Sequence, residues 1–163
     1  MARPCDRRAI GELHAAPIAY VTERYIGEWT LARSIADADN VVVIACQGDA
    51  TLRREADTLR YEERVTFVLG GKLVRATRAY RFATRDGTIR ATFDDGSPFF
   101  ELVLDPAGTG SALHVCGADR YVLTLTLREP DRWATRWDVS GGKHQQILTH
   151  YARPPALPET AEA

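Results

Sequence analysis

Two charged residues share the phase of large apolar residues in segments that otherwise alternate between apolar and polar positions. Arg33 is in phase with Trp29, and Glu63 is in phase with Tyr61 and Phe67. Because side chains two positions apart in a strand point to the same face, Arg33 and Glu63 are predicted to point into the interior. Since burying an unpaired ion is costly, these charges must be paired, hydrated in a cavity or contacted by a ligand.

The same phase argument applies to later segments and predicts a lining that mixes apolar and polar side chains. An arginine held in an aromatic cavity is suited to binding the carboxylate or phosphate of a small amphipathic anion. We therefore predict a small-molecule-binding protein. The candidate ligand-binding residues are the polar members of the lining, Arg33, Tyr61, Glu63, Arg78, Tyr80, His114, Asp119 and Tyr121.

Two alternatives use the same residues differently. Arg33 and Glu63 could simply neutralise each other as a structural ion pair. Alternatively, the chain could be a cofactor-free lyase or isomerase, in which Glu63 transfers a proton while Tyr61, Tyr80 and Arg33 orient the substrate. A carboxylate held by an arginine has a lowered pKa and is a poor acid at neutral pH, so its pKa would distinguish these alternatives.

Histidines and cysteines indicate little metal or cofactor chemistry. His114 and Cys116 share a strand face, but a metal site needs three or four ligands and no second cluster is evident, so no metal is predicted. His144 and His150 lie on the last predicted strand, which leaves a haem-binding barrel as a further alternative. Otherwise we predict no cofactor.

Composition limits the class of protein. The chain has 163 residues, and its 21 basic and 22 acidic residues nearly cancel, so no nucleic acid or membrane partner is expected. No apolar run approaches the roughly 20 residues of a membrane helix, and residues 1–11 are charged where a secretory signal would be apolar. Three cysteines without a CxxC pair argue against a disulfide framework. We therefore expect a cytoplasmic globular protein, and the pattern does not predict its oligomeric state.

From Tyr25 onward the sequence has the period of two that is typical of strands. Short turns such as Gly70-Gly71 and Gly141-Gly142 join the segments, so neighbouring strands should be antiparallel. About ten strands without intervening helices favour closure into an up-and-down β-barrel, because closure removes exposed edges. The predicted strands are 25–36, 41–53, 58–69, 72–84, 88–95, 98–105, 111–116, 119–128, 132–140 and 144–153.

The two ends of the chain differ from this pattern. Asp6 could cap a short helix over 7–15, and residues 19–25 could continue it, so residues 1–24 are predicted to be a helical lead-in. Residues 154–163 contain three prolines and few large apolar residues, and we predict a disordered tail there. The barrel domain is therefore expected over 25–153.

Several motifs carry a resemblance to a known fold family. Gly27-Glu28-Trp29 on the first strand, with Arg153 on the last, resembles the lipocalin and wider calycin arrangement. That resemblance implies that Trp29 and Arg153 close one end of the barrel. A wider set of motifs resembles an uncharacterised lipocalin-like family of bacteria and plants: Trp29-x-Leu31-x-Arg33-x-Ile35, Gly48-x-Ala50, Leu59-x-Tyr61-x-Glu63, Arg78-x-Tyr80, Phe93-x-Asp95-Gly96, His114-x-Cys116-x-x-Asp119-x-Tyr121, Trp133-x-x-x-Trp137, Lys143 and Tyr151-x-Arg153.

The chain departs from this family's pattern at two places. Phe100 stands where the family usually has a histidine, and Gly142-Lys143-His144 replaces a turn of proline, a basic residue, lysine and aspartate. If the missing histidine belongs to the family's working site, the site of this member is altered. The resemblance implies a closed, lipocalin-like all-β barrel, and it implies no particular activity.

Overall fold

The computed structural model describes residues 22–156, and these fold into a single antiparallel sheet. The alternation of apolar and polar residues places one face of every strand inside, as a half-buried sheet requires. The strands are β1 (Gly27–Ala36), β2 (Val42–Glu55), β3 (Thr58–Leu69), β4 (Lys72–Arg85), β5 (Thr88–Phe93), β6 (Pro98–Val103), β7 (Thr109–Cys116), β8 (Asp119–Glu129), β9 (Arg132–Ser140) and β10 (Gln145–Ala152).

The sheet is a meander rolled into a barrel. Strands that follow one another in the chain pair with each other, and β1 also pairs with β10, which gives the order β6-β5-β4-β3-β2-β1-β10-β9-β8-β7. The prediction of about ten antiparallel strands in an all-β fold is confirmed.

The prediction of complete closure is wrong at one seam. β6 and β7 follow one another but share no backbone ladder, so the barrel is nearly closed. Side chains span this seam instead, and the Nδ1–H of His114 on β7 donates a hydrogen bond of 2.8 Å to the carbonyl oxygen of Phe99 on β6. β5 and β6 have only six residues each, so the wall is lowest beside the seam.

The β3–β4 turn fixes the register of two strands that matter for the interior. Gly70 and Gly71 form a two-residue turn and both have positive φ, 56° and 75°, which glycine adopts without steric cost. This turn pairs Glu63 with Arg78 and Tyr61 with Tyr80 across the two strands.

The core occupies the inside of the barrel in two adjoining clusters. One surrounds Trp29, Tyr61 and Tyr151, and the other surrounds Ile89 and Leu123. The predicted inward phases agree with the burial of these strands, and even the charged Glu63 is only 2% exposed.

The ends of the chain lie mostly outside the described residues. The predicted helical lead-in over 1–24 falls there except for its last three residues, of which Thr22 and Glu23 are helical and Arg24 begins a turn before β1. Residues 154–156 have no regular secondary structure, and the rest of the predicted tail lies outside the described range. Within residues 22–156 no helix is long and apolar enough to cross a membrane.

Candidate functional site

The barrel encloses a cavity of about 490 Å³, which is within the size range of small-molecule sites. Side chains from the inner faces of the strands line it, together with Thr22 and Tyr25 from the segment before β1. Of the eight residues predicted from the sequence, seven line this cavity: Arg33, Tyr61, Glu63, Arg78, Tyr80, His114 and Tyr121.

Arg33 and Glu63 form a bidentate ion pair in the cavity wall. The Nη1 and Nη2 atoms of Arg33 donate to the two carboxylate oxygens of Glu63 at 2.8 and 2.7 Å. The Nε atom of Arg33 donates to the hydroxyl oxygen of Thr149, its cross-strand neighbour on β10, at 2.8 Å. Both charged side chains are buried, so good hydrogen-bond geometry is needed to offset their desolvation.

Two tyrosines extend this polar cluster. The hydroxyl of Tyr61 donates to Glu63, and because that uses its only proton, the hydroxyl of Tyr151 must be the donor in the 2.8 Å bond between the two tyrosines. Burial, reinforced by the neighbouring phenol and carboxylate, raises the pKa of Tyr61 well above its usual value, and burial raises the pKa of Tyr151 to about 12. Both phenols are therefore neutral donors at physiological pH.

Glu63 is held as a carboxylate. Burial alone would raise its pKa, but hydrogen bonds and charge from Arg33, the Tyr61 hydroxyl and the charge of Arg78 outweigh burial and lower it. The carboxylate is already hydrogen-bonded to Arg33 and Tyr61. Glu63 is therefore a weak base and is not protonated at neutral pH, so the geometry does not favour the acid or base role considered from the sequence.

Arg78 is the charged group of the cavity that retains free donors. Its Nε atom lies 3.8 Å from Glu63, beyond hydrogen-bond distance, and 54% of its side chain is exposed. Glu63 is its only ion-pair partner among the described residues, and Arg33 already neutralises that carboxylate. The cluster of Arg33, Arg78 and Glu63 thus has one excess positive charge, located where the cavity meets solvent.

An aromatic wall faces this charge. Phe99 stacks on Tyr80 at 4.9 Å and on Trp137 at 5.4 Å between ring centroids. Phe93 lies 4.5 Å from Phe99. Planar aromatic faces give a large apolar contact area, so this wall suits the apolar body of a ligand.

His114 has a fixed orientation in the wall. A carbonyl oxygen can only accept a hydrogen bond, so the bond to Phe99 places a proton on Nδ1 and leaves Nε2 as an acceptor whenever the ring is neutral. Cys116 lies two residues further on the same face and is exposed at the cavity rim. Residues 22–156 contain no group of three or more side chains arranged to hold a metal ion.

Asp119 is the predicted site residue that the structure does not place in the cavity lining. Its carboxylate accepts backbone N–H bonds from Gly142 and Lys143 at 2.8 and 3.2 Å. Asp119 stands at the first residue of β8, where its short side chain can reach the neighbouring β9–β10 turn. Its role in the structure is to hold that turn.

The two histidines considered for haem also lie outside the lining. His144 is exposed in the β9–β10 turn, and His150 is exposed on the outer face of β10, beside Ala32 and Ala134. The cavity therefore offers haem neither of these ligands. Phe100, at the position where the family resemblance indicates a histidine, lines the cavity as an apolar side chain.

Trp133 is a lining residue with an unmet hydrogen-bond requirement. Its ring stacks on Tyr151 at 3.5 Å between centroids, and its Nε1 is the one buried side-chain nitrogen or oxygen atom of the described residues that lacks a partner. A buried donor without an acceptor is unfavourable, and a ligand acceptor would remove that penalty.

Aromatic and cationic groups close the end of the barrel where β1 begins and β10 ends. The guanidinium carbon of Arg153 lies 3.9 Å from the centroid of the Trp29 ring, and the Nε1 of Trp29 donates to the carbonyl oxygen of Tyr25 at 2.8 Å. The guanidinium of Arg153 passes so close to Gly27 that a Cβ there would lie 2.5 Å from its Nη1. Gly27 also has a φ of 129°, a conformation that residues with a side chain rarely adopt, and this favours glycine two positions before Trp29.

Several residues that complete the site are not among the eight ligand-binding candidates predicted from the sequence. Thr149 and Tyr151 lie on the last predicted strand, but nothing in the pattern indicates that they bond to Arg33 and Tyr61. The aromatic wall is also absent from the candidates, although Phe99 and Phe100 are adjacent and Phe100 is itself the position that departs from the family pattern. Lining residues omitted from the candidate set include Phe93, Phe99, Phe100, Trp133, Trp137, Thr149 and Tyr151.

The fold is similar to that of a solved protein whose sequence differs widely from this one. The S-type phycobiliprotein lyase CPES from Guillardia theta is 10% identical with a TM-score of 0.67, over 87% of this chain and 95% of that chain. The redesigned β-barrel mFAP1, solved with DFHBI, is 13% identical with a TM-score of 0.44, over 82% of this chain and 98% of that chain. A fluorescence-activating β-barrel designed de novo is 13% identical with a TM-score of 0.43, over 81% of this chain and 95% of that chain.

Sequence comparison gives the family rather than an activity. A search of curated protein sequences finds no match. The model of a family of unknown function, DUF6314, matches residues 25–153, which include all ten strands, and the chain therefore belongs to the DUF6314 family.

Proposed function

We propose that this protein binds a small amphipathic anion inside its barrel. The observation that carries this proposal is the excess positive charge of Arg78 at the mouth of a cavity of about 490 Å³ whose wall is aromatic. An apolar cavity with a few placed polar groups is the usual form of a small-molecule site. The planar guanidinium of an arginine matches the geometry of a carboxylate or phosphate.

The contacts favour one orientation of the proposed ligand. Its anionic group meets Arg78 near solvent, which avoids the full desolvation cost of a deeply buried ion. Its apolar body lies against Phe93, Phe99 and Trp137. An acceptor atom further inside would pair with the Nε1–H of Trp133, which has no partner in the described structure.

The Arg33–Glu63 pair positions this site without being its ligand-binding charge. Both residues of the pair are hydrogen-bonded within the protein. Arg78 is therefore the charged group that is available to bind a ligand. The low pKa and full coordination of Glu63 provide no support for a lyase or isomerase. Binding is therefore the function that the geometry supports best.

The experiment is a calorimetric titration with 2-naphthoate and with its uncharged counterpart, 2-naphthamide. These probes share the planar apolar body and differ in the anionic group. The proposal expects 2-naphthoate to bind at least tenfold more tightly, as one charge-assisted hydrogen bond provides about 1.5–3 kcal/mol. It also expects 2-naphthoate to raise the melting temperature, because it binds only the folded state. Equal affinities for the two probes, or no binding of either, would contradict the proposal.

A further inference from the structure

We propose that the free edge of β4 binds an extended acidic segment of a partner protein as an additional strand. β5 pairs with β4 only from Tyr80 to Arg85, because β5 is much shorter than β4. On that side the first half of β4, from Lys72 to Ala79, has no neighbouring strand among the described residues. We refer to residues 72–79 as the free edge.

The backbone of the free edge is available for pairing. β3 pairs with β4 from Lys72 to Phe82, so along the free edge alternate N–H and C=O groups of β4 are used on that side and the others point away from the sheet. A row of unpaired backbone groups is a template for another strand. Extended peptides that add to a sheet edge obtain much of their affinity from such main-chain bonds.

Exposed apolar side chains flank the free edge. Leu73 is 65% exposed, and its cross-strand neighbour on β3, Val68, is 62% exposed. Leu69, at the same end of β3, is 56% exposed. Large apolar side chains exposed together are typical of protein-interaction sites, and these could contact apolar side chains of an added strand.

Charge identifies the kind of segment that fits. Lys72 and Arg75 are exposed on the free edge, and Arg75 lies opposite Thr66 of β3. Arg64 of β3 is also exposed and lies opposite Thr77 of the free edge. None of the three takes part in an ion pair of residues 22–156. Carboxylates on the added strand would complement them. A second copy of this chain, paired antiparallel through the same edge, would instead place one basic edge against an identical basic edge, which is unfavourable.

The test uses the full chain and a fluorescein-labelled, acetylated nine-residue peptide that alternates glutamate and valine. Fluorescence anisotropy should show binding, and hydrogen exchange should show slowed exchange at amides within Val74 to Ala79 when the peptide is present. The double variant K72E/R75E should bind the peptide roughly tenfold more weakly, since two exposed charge contacts are lost and replaced by repulsion. The matched variant R120E changes an exposed arginine on β8, also outside the ion pairs, and should bind as the unaltered protein does.

Two control peptides separate strand addition from simple charge attraction. A peptide N-methylated at every backbone nitrogen keeps its charge but has no N–H group to donate to the ladder, so it should not bind or slow exchange at residues 74–79. The lysine–valine counterpart should also not bind. Binding of the N-methylated or lysine peptide at the same affinity would overturn the proposal. Slow exchange in the free protein at those amides of residues 74–79 that point away from β3 would also overturn it, as would a concentration-dependent dimer that K72E/R75E abolishes.

Discussion

Arg33 on β1 reaches Glu63 on β3 across β2, the strand that lies between them. The bridge is possible because β2 has small inward residues at this level, Cys46, Gly48 and Ala50. The ion pair therefore links two strands that share no backbone hydrogen bonds. Glu63 also lies directly opposite Arg78 on β4, whose charge remains free for a ligand.

The first prediction concerns the energetic role of this bridge. R33M and E63M should each lower the free energy of unfolding by about 3–5 kcal/mol, because each leaves one buried charge without its partner. The double variant R33M/E63M should be more stable than either single variant, since it leaves no uncompensated ion. Urea denaturation of the four proteins measures this cycle. A double variant whose loss equals the sum of the single losses would show that the two residues act independently.

The inward direction of both charges was predictable from the sequence, because period-two phase depends only on local spacing. The pairing of Glu63 with Arg78 was also predictable in principle, since the two-residue turn at Gly70-Gly71 fixes the register of β3 and β4. The contact between Arg33 and Thr149 was not, because β1 and β10 meet only when the barrel closes and no turn sets their register.

Two other features depended on interactions that a single strand does not encode. Asp119 has the predicted inward phase, but it is the first residue of β8, and its carboxylate bonds to the backbone of a separate turn. The open seam between β6 and β7 depends on whether two backbones come close enough to pair. The alternation of apolar and polar residues is the same in a closed barrel and in one with an open seam, so it does not predict the seam.

The second prediction follows from the lowered pKa of Glu63. Because its pKa in the folded state lies below its value in the unfolded state, its contribution to stability is complete above the unfolded value of about 4.5 and is lost as the pH falls through the folded value. Thermal unfolding of the unaltered protein and of E63Q should differ most at neutral pH and converge in acid. A difference that stays constant from pH 7 to pH 3 would contradict the assigned direction of the shift.

The third prediction concerns Gly48, the residue of β2 that lies beneath the ion pair. A Cβ on Gly48 would lie 1.9 Å from the carbonyl oxygen of Arg64 and 2.9 Å from the Cα of Val65, so even alanine would push β2 and β3 apart. G48A should lose about 3 kcal/mol or more in urea denaturation, at the upper end of overpacking costs. G142A, where the nearest atom to the added Cβ is a carboxylate oxygen at 3.3 Å, is the control and should lose less than about 1 kcal/mol. Equal stability of the two variants would exclude this steric account.

The fourth prediction separates Asp119 from the ligand site. D119A removes the acceptor for the N–H groups of Gly142 and Lys143, so it should lower stability by about 1 kcal/mol. Since Asp119 does not line the cavity, the affinity for 2-naphthoate should remain within about twofold of the unaltered protein, a change below about 0.5 kcal/mol. Calorimetry on the folded variant measures this. A tenfold weaker affinity would restore Asp119 to the ligand site.

The most direct test of the central claim compares R78Q with R75Q in calorimetric titrations with 2-naphthoate. The two substitutions are identical and fall on the same strand, but Arg78 lines the cavity and Arg75 lies exposed on the outer phase of β4. Both variants should keep a stability within about 0.5 kcal/mol of the unaltered protein, because both side chains are largely exposed. The account predicts that R78Q weakens 2-naphthoate binding at least tenfold while R75Q leaves it unchanged. Unchanged affinity in R78Q, or equal losses in both variants, would contradict an anion site at Arg78.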